Sequence, residues 1–165
     1  MRYIYLTLLV LTYSQPIIAQ DKMLIKFDMK DQFGNAYSDT SFADKYIILL
    51  GADREGSAYT DEWATGLVDS LKERDIYENA QIVALATLEA VPRLLRKMVR
   101  GFFPKDEEQW CLLDWDGEFN KTYGFKPAFC NVLIFDKEKT LIYQSAVNNF
   151  DADVAQIIIN TIVDD

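Results

Sequence analysis

The sequence predicts an α/β protein in which a mixed central sheet lies between two layers of helix, a three-layer α/β/α sandwich. Two apolar, β-rich runs, 46–50 (YIILL) and 80–87 (AQIVALAT), suit strands that are buried on both faces of a sheet. A helix predicted between them gives the pattern of a parallel β-α-β crossover. A later hairpin, 131–135 with 140–144, adds antiparallel strands at one edge.

The first half of the chain contributes an opening strand and a long helix. Residues 23–29 alternate in polarity, which is the period of a strand, and residues 31–35 form the turn that follows. The apolar side of that strand is Met23, Ile25, Phe27 and Met29. After loop 51–56 an amphipathic helix is predicted over 57–74. Its apolar face is Trp63, Ala64, Leu67, Val68 and Leu71.

The second half predicts three further helices and a short strand. One helix begins near Pro92, because proline suits the first turn of a helix. Its inward stripe is Leu94, Leu95, Met98, Val99 and Phe102. A strand over 110–113 precedes a helix over 118–123, which ends at Gly124, a residue favoured just past a helix. The last helix, 151–162, starts with acids at its positive end. Its buried side is Val154, Ile157, Ile158 and Ile162.

Composition restricts the function classes that remain open. A length of 165 residues fits one domain, and a 50% hydrophobic content is ample for a packed core. The formal net charge of −9 makes nucleic acid an unfavourable partner. Histidine is absent, which excludes catalytic triads built on histidine and zinc sites that use it.

The N-terminus has the pattern of a secretory signal peptide over residues 1–19. Arg2 provides the positive charge, residues 3–13 form an apolar run too short to span a bilayer, and Ala19 offers a cleavage site. An uncleaved anchor or a buried strand is the alternative interpretation. We therefore expect an exported protein, periplasmic or secreted, whose mature chain is a single domain over 20–165 without a membrane span.

Three segments in order resemble the redoxin branch of the thioredoxin superfamily, which includes peroxiredoxins and exported thiol-disulfide proteins of the TlpA type. They are 27–35 (FDMKDQFGN), 112–124 (LLDWDGEFNKTYG) and 130–143 (CNVLIFDKEKTLIY). The resemblance covers roughly residues 23–147 and implies a thioredoxin-like fold.

The chain departs from that family at both of its redox hallmarks. The family carries a reactive cysteine, alone or as Cys-x-x-Cys, in the loop that opens the first long helix, but residues 51–63 (GADREGSAYTDEW) contain none. The family's cis-proline lies six residues before the aspartate of the last hairpin; counting back from Asp136 gives Cys130, and Pro127 lies three residues earlier. In this respect the chain resembles cysteine-poor exported members that lack the pair.

The two cysteines are the candidates for thiol chemistry. If Cys130 occupies the cis-proline position, it faces the positive helix start at Ser57, which would favour a thiolate. The alternative is a buried strand cysteine that acts as a small hydrophobe. An exported compartment favours a disulfide between Cys111 and Cys130, whereas the strand order of the resembled family places two strands between them.

A loop at the start of the first long helix is the candidate binding site. It consists of Asp53, Arg54, Glu55, Gly56 and Ser57. Backbone N–H groups at a helix start bind anions, and Arg54 could clamp one in a bidentate manner. Alternatively, its acids could hold a hard cation such as Ca²⁺ together with Asp61 and Glu62, or act as an acid-base pair. The plainest interpretation is a solvated loop with ordinary helix-start acids.

A basic stripe interrupts this acidic chain. It consists of Arg93, Arg96, Lys97, Arg100 and Lys105. The first interpretation is the solvated face of an amphipathic helix, and an acidic partner or a lipid surface is the second.

Three functional hypotheses follow, in descending order. The first is a non-catalytic exported domain that binds an unknown protein or a small anionic ligand, with no cofactor and no metal. The second is a single-thiol redox protein acting through Cys130. The third is a carboxylate or cation site at Asp53 and Glu55.

Overall fold

The computed structural model describes residues 22–163, so the predicted signal peptide over 1–19 lies outside the described residues. In chain order the elements are β1 (Asp28–Lys30), β2 (Ala36–Ser38), β3 (Tyr46–Ala52), α1 (Ser57–Glu73), β4 (Ala80–Thr87), α2 (Arg96–Arg100), β5 (Cys111–Asp114), α3 (Glu118–Tyr123), β6 (Cys130–Phe135), β7 (Leu141–Val147) and α4 (Ala152–Val163). Short 3₁₀ turns lie at Tyr77–Asn79, Arg93–Leu95 and Glu107–Gln109.

The central sheet has five strands in the order β5-β4-β3-β6-β7. Strands β3, β4 and β5 run parallel, β6 pairs antiparallel with β3, and β7 pairs antiparallel with β6. The predicted mixed sheet is therefore confirmed, including the buried run of β3, in which all seven residues are buried. A separate antiparallel hairpin, β1 with β2, precedes the sheet.

Each face of the sheet has its own hydrophobic core, which confirms the three-layer arrangement. On one face, α1 and α4 pack Trp63, Leu67, Leu71 and Ile158 against the sheet, all fully buried. On the other face, α3 and the N-terminal segment bury Phe119, Phe27 and Tyr123 among others. The Trp63 indole also donates to the carbonyl of Asn148 at 2.6 Å, which fixes the ring between the two helices.

The side chain of Asp114 caps the start of helix α3. The buried Asp114 carboxylate accepts hydrogen bonds from the backbone N–H of Glu118 and of Phe119, each at 3.0 Å. These are free donors at a helix start, so the carboxylate satisfies them and favours the helix dipole. Gly117 and Gly124 flank the helix with φ of 68° and 67°, conformations that glycine adopts without strain.

The predicted strand over 23–29 is wrong for its first part, since only Asp28–Lys30 of that stretch is a strand. Met23 is 53% exposed, whereas Leu24 is buried. The cause is the path of the segment from Lys22 onward, which crosses one face of the sheet. It begins beside β7, where the Leu24 N–H donates to the Lys139 carbonyl at 2.7 Å, and reaches β5 at Asp31, which bridges to Leu112.

The inward stripe predicted for the helix after Pro92 is also wrong. Helix α2 has only five residues, and the side chains expected to face the core are exposed instead. The exposed fractions are 96% for Leu94, 43% for Leu95, 53% for Met98 and 76% for Phe102, while Val99 is half-buried. The inward side chain is Arg96, whose guanidinium donates to the Trp115 carbonyl at 3.1 Å and lies 5.1 Å from that indole ring.

A smaller correction concerns α4, whose buried side is Ala155, Ile158, Ile159 and Ile162. Ile157 is 55% exposed and Val154 is half-buried, so the prediction was wrong at Ile157 and missed Ile159. Within residues 22–163, no helix has the length and apolarity needed to cross a bilayer.

Candidate functional site

Asp53 joins two loops at the carboxyl end of β3. One of its carboxylate oxygens accepts a hydrogen bond from the Gly56 N–H at 2.8 Å, and the other accepts one from the Ala128 N–H at 2.9 Å. The first bond closes the loop that starts α1, and the second attaches that loop to the segment before β6. Both oxygens of the predicted ligand-binding carboxylate are therefore already engaged by the chain's own backbone.

Gly56 allows the same two loops to approach closely. A Cβ atom at this position would lie 2.2 Å from the carbonyl oxygen of Phe129 and 2.7 Å from its carbonyl carbon. No larger residue fits without moving the backbone of the second loop. The helix start and the segment before β6 are thus packed against each other at backbone distance.

Asn131 organises the second loop, a role that the sequence pattern does not indicate beyond the start of a strand. Its side-chain NH₂ group faces the carbonyls of Gly51, Lys126 and Phe129 at 3.1–3.2 Å, and its carbonyl oxygen accepts from the Lys126 N–H at 2.7 Å. The residue is 3% exposed. A buried asparagine at the first positions of a central strand is the only signal that could have revealed this role.

The other predicted loop residues are brought together at the start of α1. The Ser57 N–H donates to the Asp53 carbonyl at 2.9 Å, and the Ser57 hydroxyl donates to the Arg54 carbonyl at 2.8 Å. Arg54 and Glu55 are exposed. Within residues 22–163, no three His, Cys, Asp or Glu side chains lie close enough together to hold a metal ion. Ligand binding by this loop stays a prediction.

Cys130 lies at the start of β6 and is fully buried. Burial raises the pKa of its thiol to about 12, and the nearby Thr60 hydroxyl offsets only part of that rise. Loss of solvent disfavours the thiolate, which is the nucleophilic form of a cysteine. Among the described residues no peptide bond is cis, and the segment before Cys130 is shaped instead by Ala128, which has a φ of 62°.

Cys111 lies at the start of β5 and is half-buried. Burial also raises the pKa of this thiol to about 12, and the carboxylates of Asp61 and Asp31 act in the same direction. Strands β4 and β3 separate the strands of the two cysteines, as the resemblance implied, and both thiols are free. The disulfide between Cys111 and Cys130 is absent.

An open cleft of about 1590 Å³ extends from the Asp53 loop along the sheet. Its apolar lining comes from Ala64 and Val68 of α1, from Ile82, Ala84 and Ala86 of β4, and from Met98 of α2. The acids that line it outnumber the bases: Asp53, Glu55, Asp61, Asp69, Glu78, Glu89 and Glu108 against Lys45, Arg54 and Lys126. Cys111 also lines this cleft, a position that the sequence analysis did not predict.

Comparisons with known proteins find similarity in the fold and not in the sequence. No protein-family model matches the chain, and no curated protein sequence is significantly similar to it. Among solved structures, the exposed lipoprotein thioredoxin Etrx1 of Streptococcus pneumoniae superimposes with a TM-score of 0.63 at 15% identity, covering 82% of this chain and 99% of that one.

Two further solved structures agree with this result. A putative thiol:disulfide interchange protein DsbE of Chlorobium tepidum has a TM-score of 0.61 at 16% identity, covering 89% of this chain and 97% of that one. The thioredoxin domain of a thiol-disulfide oxidoreductase of Bacteroides vulgatus has a TM-score of 0.59 at 14% identity, covering 87% and 98%. The structures that resemble this chain are thioredoxin-fold redoxin proteins, and the chain itself has the thioredoxin fold.

Proposed function

We propose that this chain is an exported thioredoxin-fold domain that binds another protein in its cleft and does not catalyse thiol-disulfide exchange. The observation that carries the proposal is the Asp53 tether. In the resembled family, the loop that starts this helix holds the reactive cysteine; here a carboxylate fills the loop with hydrogen bonds to the Gly56 and Ala128 N–H groups. Because the loop is fixed in this way, we infer a structural role for the position at which the resembled family carries its reactive cysteine.

The state of the cysteines supports the same conclusion. Burial raises the pKa of both thiols, Cys111 and Cys130, to about 12, so neither has appreciable thiolate near neutral pH. They also lie on strands that have two others between them, which leaves no partner for an internal exchange reaction. This argues against the single-thiol hypothesis for Cys130.

The charge of the cleft indicates which chemistry it would accept. Apolar side chains of α1 and β4 line it, and its charged lining is mainly acidic. Such a surface is complementary to an apolar protein segment flanked by Lys or Arg. A small anionic ligand at Arg54 fits less well, since the Gly56 and Ser57 N–H groups already donate to Asp53.

Export rests on the signal-peptide pattern of residues 1–19, with its single Arg2 and its apolar run. The similar structures include one described as an exposed lipoprotein, in Streptococcus pneumoniae. Export is tested by expressing the full chain beside a form that lacks residues 1–19. Only the intact form should leave the cytosol, with an N-terminus shortened on arrival.

Binding is tested with two model peptides of alternating leucine, one carrying lysines and the other glutamates. We expect the lysine peptide to bind and the glutamate peptide not to bind. Val68→Arg, which adds bulk and positive charge inside the cleft, should abolish binding, and Asp61→Lys/Asp69→Lys should weaken it. The matched control, Asp28→Lys/Glu138→Lys, makes the same charge change at exposed positions that do not line the cleft and should bind normally.

The proposal fails if Val68→Arg binds the lysine peptide as well as the unmodified protein does. It also fails if the protein accelerates the reduction of a small disulfide substrate by dithiothreitol and Cys130→Ser abolishes that acceleration. The second outcome would favour the single-thiol hypothesis instead.

A further inference from the structure

Residues 93–105 form the one strongly basic segment of an acidic chain. Five of the 17 Lys and Arg residues of the protein lie in this stretch, and no Asp or Glu occurs between Glu89 and Asp106. The remainder of the chain carries the net negative charge. The net charge of this segment is therefore positive, opposite in sign to the net charge of the rest of the chain.

The same segment turns its large apolar side chains toward solvent. Leu94 is 96% exposed, Met98 is 53% exposed and Phe102 is 76% exposed. Leu94 lies in the 3₁₀ turn before α2, Met98 lies in α2 and Phe102 lies two residues after its end, so the three exposed side chains belong to one short stretch of chain. Single exposed apolar residues are ordinary, but three large ones on one short segment mark an interaction surface.

Arg96 sets this orientation. Its guanidinium lies against the Trp115 indole, donates to the Trp115 carbonyl at 3.1 Å and pairs with Asp116 at 3.4 Å. With Arg96 held inward, Leu94 faces outward, and Leu95 and Met98 border the cleft. Arg93, Lys97 and Lys105 remain exposed beside them.

We propose that the 93–105 segment is an interfacial docking surface for an anionic phospholipid membrane. Protruding Leu94, Met98 and Phe102 would enter the headgroup boundary, and Arg93 and Lys97 would contact the lipid phosphates. This is the composition of monotopic interfacial helices, in which apolar area and cationic charge add their contributions. The Debye length is about 10 Å at 0.1 M salt, so acids of the protein that lie farther away than this are largely screened.

The proposal commits to lipid because Leu94, 96% exposed, and Phe102, 76% exposed, lie on the same segment as exposed cations, and an anionic bilayer supplies both an apolar medium and phosphates. An acidic protein partner would be the other class of occupant, and the experiment separates the two. Met98 and Phe102 also line the cleft, so this surface borders the proposed peptide site. Leu94, Arg93 and Lys97 do not line the cleft, so variants at these three positions test membrane binding separately from peptide binding.

The experiment is co-sedimentation of the full chain with phosphatidylglycerol vesicles and with phosphatidylcholine vesicles at low and high salt. We expect binding to phosphatidylglycerol vesicles that falls as salt rises. Arg93→Glu/Lys97→Glu should weaken it by roughly tenfold or more, at about 1 kcal/mol per basic residue. Leu94→Asp should weaken it roughly tenfold through loss of buried apolar area.

The matched control is Lys26→Glu/Lys30→Glu, which makes the same charge change at two exposed lysines in the N-terminal segment. It should bind vesicles as the unmodified protein does, and because the first 21 residues are present in every variant, their contribution cancels. Equal binding by Arg93→Glu/Lys97→Glu and the control would overturn the proposal. So would binding to soluble polyglutamate without binding to vesicles, which would identify an acidic protein as the occupant.

Discussion

The Asp53 carboxylate accepts a hydrogen bond from the Ala128 N–H at 2.9 Å, which joins two loops 75 residues apart in sequence. Its other oxygen accepts from Gly56 at 2.8 Å. One side chain therefore fixes the two loops that border the carboxyl end of β3. This is the region where ligands bind in many α/β folds, and here both oxygens of the Asp53 carboxylate are already engaged by the protein's own backbone.

Replacing Asp53 with Asn should destabilise the protein by about 1–3 kcal/mol, because an NH₂ group would face a backbone N–H and leave it unsatisfied. Urea unfolding measures the difference. Glu55→Gln removes a neighbouring charge from an exposed side chain and should change the free energy of unfolding by less than about 0.5 kcal/mol. Equal effects of the two substitutions would show that the tether contributes nothing.

Thiol modification should be slow at both native cysteines. At pH 8, iodoacetamide should label Cys111 and Cys130 far more slowly than free cysteine, because the thiols are protonated and desolvated. Mass spectrometry after brief exposure measures each site. The variant Ala58→Cys provides an internal comparison, since position 58 is exposed near the start of α1, and its thiol should label first. Rapid labelling of Cys130 would contradict this prediction and the proposed function together.

Stability should fall at alkaline pH through Cys130. Burial raises its pKa to about 12 from the ordinary value of 9.0, so the unfolded chain loses this proton first as the pH rises. The contribution of this thiol to the free energy of unfolding is fully present below pH 9.0 and is lost as the pH rises from 9.0 to 12. The loss should reach about 1.4 kcal/mol by pH 10.

The measurement is the free energy of unfolding of the unmodified protein and of Cys130→Ala between pH 8 and pH 10. The difference between them isolates the Cys130 thiol, because Cys111, Tyr37, Tyr123 and Lys139, whose pKa values burial also shifts, are present in both. Parallel curves would show that Cys130 titrates normally in the folded protein.

Gly56→Ala should destabilise the protein by about 1–3 kcal/mol through overpacking, since the new Cβ would lie 2.2 Å from the Phe129 carbonyl oxygen. Gly51→Ala is the graded comparison, because the atoms nearest to its Cβ would belong to the Phe125 ring, which moves more easily than a backbone carbonyl. The midpoint temperature of thermal unfolding should be lower for Gly56→Ala than for Gly51→Ala. The reverse order would mean that the backbone of the second loop yields easily.

The parts of the fold that follow from local chemistry could be predicted from the sequence. The strand over 80–87 was predicted with the bounds of β4, because an apolar, β-rich run of that length is typical of a buried strand. Helix α3 was predicted over 118–123 because a glycine ends it. The strands of Cys111 and Cys130 were placed apart by the family resemblance, as the sheet order has them.

The errors arose where tertiary contacts overrode a pattern. Ile157, Ile158 and Ile159 are consecutive, so periodicity could not decide which of them face the core. The helix after Pro92 has an apolar stripe of ordinary spacing, but Arg96 contacts Trp115 and turns that stripe outward. The Asp53 tether could not be predicted either, since it depends on the left-handed backbone of Ala128, a residue with no local signal for that conformation.

The path of the N-terminal segment has a consequence for aggregation. Exposed edges of a sheet pair readily with other chains, and proteins protect them. Here ten residues, 22–31, reach both edges of the sheet: the backbone of Lys22 and Leu24 hydrogen-bonds beside one end of β7, and Asp31 bridges to Leu112 of β5. A chain that began after Asp31 would lose both of these contacts. The edges at β5 and β7 would then be open to strand pairing with other molecules.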